Sequence, residues 1–189
     1  MTVHIKGGKS LSGEVRIVPN KNAILPAIAA SILTDEEMSY NEIPESPDVQ
    51  KMLQALEQMG ATVEKDTATV KICCKYIKTH EVPRKFIYDM QAGYLFIGPL
   101  LARFGKATIP IASGCQLGYR GPEEHLEYLR QLGVSCEIKD DMLHFKMEDE
   151  IKEERLVVIE EDFERKRSVI YETPNVTPTE NILMLFAKT

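Results

Sequence analysis

Two stretches of this chain repeat one another at a constant spacing, and that repetition restricts the folds open to it more than any other feature. The apolar segment Asn22–Leu33 has a counterpart in Ala92–Arg103, with Pro26 and Pro99 at the same place. Downstream, Leu56-Glu57-Gln58-Met59-Gly60-Ala61 matches Leu129-Arg130-Gln131-Leu132-Gly133-Val134. Both pairs are offset by 73 residues (99 − 26 and 133 − 60). Two matches at one offset mark a duplicated supersecondary unit.

Each unit predicts the same order of elements. An apolar helix comes first, hydrophobic on all sides and therefore expected to be buried. A short extended segment follows, Met38–Ile43 in one unit and Ala107–Ile111 in the other. An amphipathic helix comes next. Val49, Met52, Leu53, Leu56 and Met59 share one face of the first, between Pro47-Asp48 and Gly60. Leu126, Leu129 and Leu132 form the stripe of the second, between Pro122-Glu123 and Gly133. Proline at the start and glycine past the end are the expected helix signals. A hairpin closes each unit: Ala61–Glu64 with Thr69–Cys73, then Val134–Ile138 with Met142–Met147, turning at Lys65-Asp66 and Asp140-Asp141. A third copy starts around residues 173–189, where Asn181–Ala187 resembles the opening of the first apolar helix. The chain reaches Thr189 before that helix could finish. A buried helix without partners is an unstable end for a domain. The expectation is a fragment, a split subunit or a truncated paralog.

Charge and cysteine usage narrow the function classes. The chain carries 29 acidic and 23 basic residues, a net charge of −6, which argues against a nucleic-acid partner. A small anion is still open to it, since a few placed cations suffice for one phosphate. No apolar run approaches the ~20 residues of a membrane span and no signal peptide opens the chain, so a cytoplasmic location without membrane insertion is expected. Cys73, Cys74, Cys115 and Cys136 do not form a disulfide framework, because adjacent cysteines pair poorly. His4, His80, His125 and His144 are scattered, so no metal site and no cofactor are expected.

One short run carries chemistry: Ser113-Gly114-Cys115-Gln116-Leu117-Gly118-Tyr119-Arg120. The glycines around Cys115 permit turns other residues resist and a close approach of a phosphate-sized ligand. The Arg120 cation favours thiolate, the reactive form. Read locally, the same run is also compatible with an ordinary small-residue turn.

Taken together, Leu11-Ser12-Gly13-Glu14-Val15, Pro19–Pro26, Gly98–Gly105, the Cys115 run and Thr179-Glu180-Asn181-Ile182 resemble the UDP-N-acetylglucosamine 1-carboxyvinyltransferase family. The likeness covers nearly the whole chain and only the N-terminal part of the family's length. It implies an α/β fold, an inside-out α/β barrel domain built from repeated α/β units and truncated here in the third repeat. Residues 1–20 would be N-terminal strands packing with an absent second domain. Residues 21–189 would form the enolpyruvyl-transferase-like domain, with repeats at about 21–75 and 93–148.

The implied reaction adds the 3′-hydroxyl of UDP-N-acetylglucosamine to C2 of phosphoenolpyruvate, protonates C3 and expels phosphate. Lys21 matches a lysine that holds anionic substrate groups, and Asn22 a residue that bonds the sugar. Cys115 matches the loop cysteine linked to C3 protonation, and Arg120 a phosphate-binding arginine. His125 matches a histidine beyond that loop, and Glu123 stands where the family has aspartate in the same turn. Gln91 replaces a family arginine, and Asn175-Val176-Thr177 replaces a Ser-x-Gly stretch near the nucleotide. The proton-abstracting aspartate belongs to the family's second domain, so a complementing chain is an expected partner and the chain alone should not turn over. Two other readings stay open: a degenerate binding or interaction module, and a stand-alone thiol enzyme.

Overall fold

The computed structural model describes residues 3–4, 6–8, 10, 12–17, 19–67, 69–112, 121–148 and 176–187. The first unit runs α1 (Lys21–Ala30), a 3-10 turn (Ser31–Leu33), β1 (Glu37–Asn41), α2 (Pro47–Met59), β2 (Thr62–Lys65) and β3 (Thr69–Cys73). A one-turn helix, α3 (Arg84–Ile87), leads to the second unit. That unit runs through a 3-10 segment (Gln91–Phe96), α4 (Ile97–Phe104), β4 (Lys106–Pro110), α5 (Glu123–Gln131), β5 (Val134–Lys139) and β6 (Met142–Met147). The last described element is α6 (Val176–Phe186).

The duplication is visible in the sheets. Strand order is β1-β3-β2 in one three-stranded sheet and β4-β6-β5 in the other, every pairing antiparallel. In both units the strand after the apolar helix adds to the far edge of the hairpin that closes the unit. The second hairpin turns where the sequence places it, with Asp140 and Asp141 both left-handed (φ 53° and 58°). Consecutive left-handed residues give the turn whose twist matches paired strands. Helix α2 begins and ends on its own signals. The Ser46 side chain accepts from the Val49 N–H, and Gly60 takes φ 109°, which a Cβ would strain. The linker joins the second sheet through a parallel bridge, Val82 N–H donating to Thr108 O at 2.9 Å and Thr108 N–H to His80 O at 2.8 Å.

Three expectations change. The first apolar helix is not buried all round: Leu25, Ile28 and Ala29 of α1 are buried while Lys21, Asn22 and Ala23 are exposed. Its contacts lie on one side, toward α2 and the 3-10 segment. The second apolar helix is fully buried from Gly93 to Leu101 but is two pieces rather than one. Pro99 has no N–H and its ring conflicts with the carbonyl four residues back, so the helical ladder is interrupted just before it. The third helix has partners after all, since α6 packs on α4, the 3-10 segment and α5.

Among the described residues of 1–20 no strand pairing is formed within this chain; the strands expected there were ones that pack with a second domain. A strand exists only with a neighbour to bond, and Val15 and Ile17 alternate at 88% exposure with none. Arg16 meets Glu42 at 2.6 Å across exposed surface, a contact of small energetic consequence.

The core is continuous across both units. It includes Ile28, Met52, Leu53 and Leu56 from the first, and Phe96, Leu100, Leu101, Leu143 and Phe145 from the second. Arg103 on α4 ties the units together. Its side chain is only 12% exposed, and its guanidinium donates to Ile32 O and to Asp35 Oδ1, both at 2.8 Å. The planar fork of arginine serves both acceptors at once.

Candidate functional site

Two helix starts face each other at one edge of the first unit. Asn20 caps α1 by accepting the Asn22 N–H at 2.8 Å, and Ser46 caps α2. Lys21 is then the first residue of α1 and Asp48 lies in the first turn of α2. The Lys21 ammonium meets Asp48 Oδ2 at 2.7 Å, with both side chains partly exposed. A cation at a helix N-terminus opposes the helix dipole, and the Asp48 carboxylate offsets that conflict. Asn22 is exposed beside it. The local sequence thus delivers an accessible ammonium and amide side by side, with an internal carboxylate already on the ammonium.

The second group of predicted residues divides. Glu123 opens α5 and is exposed, whereas His125, two residues on, is buried at 5% exposure. The His125 ring tilts against Tyr94, centroids 5.4 Å apart at 56°. Burial pushes its pKa down to about 4, so near neutral pH the imidazole carries no charge. Cys115 and Arg120 lie outside the described residues. Gln91 opens the 3-10 segment and is half-buried. That segment packs against both α1 and α6, and its Tyr94 ring lies against His125.

A residue that the sequence reading did not assign to the site joins Tyr94 and His125. Asn181 of α6 is 1% exposed. Its Oδ1 accepts the Gly98 N–H at 2.7 Å and its Nδ2 donates to Tyr94 O at 2.8 Å. Tyr94 and Gly98 are four residues apart, the two groups that an unbroken helix would bond to each other. The amide of Asn181 fills that gap and satisfies both buried backbone groups. Its Nδ2 also faces His125 Nδ1 at 3.3 Å. Nothing periodic marks such a residue; the signal was a polar side chain directly before the apolar run Ile182–Ala187.

Two of the described thiols, Cys74 and Cys136, are poor nucleophiles. Burial pushes Cys74 up to about 12 and Cys136 up to about 11, the nearby Arg103 and Arg130 cations only partly opposing it. The Cys73 thiol contacts Asp35 O at 3.5 Å. Brief, limiting alkylation at neutral pH is expected to label Cys115 first. Cys74 and Cys136 should react roughly a hundredfold more slowly than an unperturbed thiol, because the thiolate is the reactive species. Peptide mapping that found Cys74 or Cys136 labelled first would contradict this. Among the described residues no three His, Cys, Asp or Glu side chains gather as metal ligands, and no helix is long and apolar enough to cross a membrane.

Comparison with known proteins follows the same lines. Residues 5–186 match the EPSP synthase (3-phosphoshikimate 1-carboxyvinyltransferase) family. The chain is 36% identical over 180 residues to a UDP-N-acetylglucosamine 1-carboxyvinyltransferase of Desulfatibacillum aliphaticivorans, covering 95% of this chain and 40% of that protein. It is 32% identical over 182 residues to the protein of the same name from Prochlorococcus marinus (strain NATL1A), covering 96% and 38%. The chain therefore spans about two fifths of the length of these relatives. Among solved structures, the enolpyruvyl transferase NikO from Streptomyces tendae aligns with a TM-score of 0.60 at 20% identity, over 75% of this chain and 31% of that one. At that identity the likeness speaks for the fold alone.

Proposed function

The chain belongs to the EPSP synthase family, and from that premise we propose that it serves enolpyruvyl transfer from phosphoenolpyruvate to the 3′-hydroxyl of UDP-N-acetylglucosamine, working with a complementary second domain. The observation that carries this reading is identity that runs through 95% of the chain to a protein of that name. The inside-out barrel and the unfinished third repeat are part of the same proposal, as are a place in peptidoglycan precursor synthesis and a cytoplasmic location.

In this reading Lys21 receives an anionic group of the substrate. The ammonium is held by Asp48 at 2.7 Å, so the incoming anion displaces an internal carboxylate rather than water alone. Asp48 loses little by the exchange, because the first turn of α2 offers an N-terminal dipole to stabilise it. Asn22 reaches the sugar and Arg120 the phosphate. Cys115 supplies the proton to C3 as the 3′-hydroxyl oxygen bonds to C2. A base from the second domain accepts the hydroxyl proton, then loss of a C3 proton expels phosphate and restores the double bond. Glu123 faces solvent at the start of α5 and lines the nucleotide side.

Gln91 favours a second reading. With an uncharged amide where the resemblance implies arginine, phosphate is held by one cation fewer, and the chain would act as a binding module that has lost the reaction.

A phosphate-release assay with both substrates separates the two. The chain alone is expected to be silent. Addition of a second-domain partner from the same organism should restore release, and Lys21→Ala should then cut it about tenfold, the worth of one charge-assisted contact. Release that is absent with the partner present would favour the binding module. Release without a partner, indifferent to Lys21→Ala, would overturn the site assignment.

A further inference from the structure

We infer that Asn181 is a positioning residue for His125: it fixes the ring as the neutral tautomer with its proton on Nε2, so that His125 offers the site an N–H donor and not a positive charge. The inference deepens the function proposed above and rests on it for the claim that His125 faces a ligand.

The tautomer follows from groups whose roles are not in doubt. The Gly98 N–H can only donate, so the Asn181 atom 2.7 Å from it is the oxygen. The other amide atom is then nitrogen, which agrees with its 2.8 Å contact to the Tyr94 carbonyl, a group that can only accept. That nitrogen has two hydrogens. One goes to Tyr94 O, and the second lies between His125 Nδ1 at 3.3 Å and Thr177 O at 3.4 Å. A protonated Nδ1 would set its hydrogen against those of the amide, so the arrangement favours a lone pair there. Nδ1 is therefore unprotonated, and the single ring proton sits on Nε2. Burial of both side chains, at 1% and 5% exposure, removes the water that could exchange these roles.

The arrangement also explains why one amide matters to the site. Asn181 joins the break before α4 to the first turn of α5. Tyr94, whose carbonyl it holds, accepts the Ala112 N–H on its hydroxyl at 3.1 Å and packs its ring, tilted, against His125. Ala112 and His125 flank in sequence the stretch that carries Cys115 and Arg120. The network thus anchors the chain on both sides of the proposed catalytic cysteine.

The test is a long-range nitrogen–proton correlation spectrum of the full chain labelled at histidine, at neutral pH, with His125→Gln identifying the signal. The expected result is a neutral ring with Nδ1 as the lone-pair nitrogen and Nε2 bearing the proton. A proton on Nδ1, or a doubly protonated ring, would overturn the inference. Asn181→Asp places an acceptor against Nδ1 and should move a proton onto it, whereas a purely structural Asn181 would lower stability without moving that proton. If the variant fails to fold, the wild-type spectrum still decides. Titration with UDP-N-acetylglucosamine in the presence of the second-domain partner tests the other half. A shift of the Nε2 proton supports the donor role. An unmoved signal with the expected tautomer would overturn the donor role while Asn181's hold on the ring stands.

Discussion

Gly98→Ala is expected to loosen α6 from the rest of the domain and to lower stability by about 3 kcal/mol, the upper part of the range for overpacking a filled core. A Cβ built on Gly98 falls within hard contact of the Asn181 carbonyl oxygen, with the Asn181 carbonyl carbon at 2.9 Å. These are backbone atoms of a packed helix and cannot rotate away. In an open helix the same change would help, because alanine exceeds glycine in helix propensity by about 1 kcal/mol. Here the clash wins, since α4 and α6 approach through the missing side chain. The Asn181 amide would also be pulled from Tyr94 O, which keeps its bond from the Ile97 N–H, and from the buried Gly98 N–H, which would lose its Asn181 partner. Thermal unfolding should shift down by roughly 6–12 °C for a chain of this size. An unchanged or raised midpoint would mean that α6 does not dock on α4 as described. Gly93→Ala should also cost stability, but by a clash with the stiff, fully buried Ile87 side chain and not with the α6 backbone.

Acid should destabilise the fold through His125. Its folded pKa of about 4 lies below the ordinary 6.5, burial being the cause. The unfolded chain therefore takes up a proton below about pH 6.5 that the folded chain refuses until about pH 4. Protons in that window favour the unfolded state. The stability is fully present above pH 6.5 and is lost as pH falls toward 4, up to about 3 kcal/mol in all. Other groups titrate in the same range. The half-buried Glu180 carboxyl is raised by desolvation and works in the opposite sense, whereas the lowered Asp89, bonded by Lys51, gives up its contribution chiefly below its ordinary 3.8, under this window. The measurement is thus the difference between wild type and His125→Phe in urea unfolding at pH 7 and pH 4.5. The wild type should lose more than the variant. Parallel losses would show that the ring is charged or solvated in the folded state.

The parts of the molecule legible in the sequence are those set by neighbours along the chain. Helix α2 could be bounded from Ser46, Pro47 and Gly60 because caps act within one turn. The second hairpin could be placed from Asp140-Asp141 because a two-residue turn fixes its own register. The repeat, and with it two sheets of identical strand order, was readable because duplicated residues bury the same faces twice. The Lys21–Asn22 pair was visible as a helix start, but its link to Asp48 crosses 27 residues and has no sequence signature. His125 shows the limit more sharply. Its place just beyond the Cys115 run suggested a ligand-facing histidine or an ordinary residue at a helix start. Tyr94 and Asn181, brought in from 31 and 56 residues away, made it a buried neutral ring. The same holds for the broken second helix, where Pro99 marks the interruption locally but only Asn181, 83 residues from Gly98, supplies the missing bonds. Local backbone preference is decided within a few residues, so one sequence suffices to read it. Burial, tautomer and charge state depend on which distant side chains displace water, and those were settled only when the helices packed.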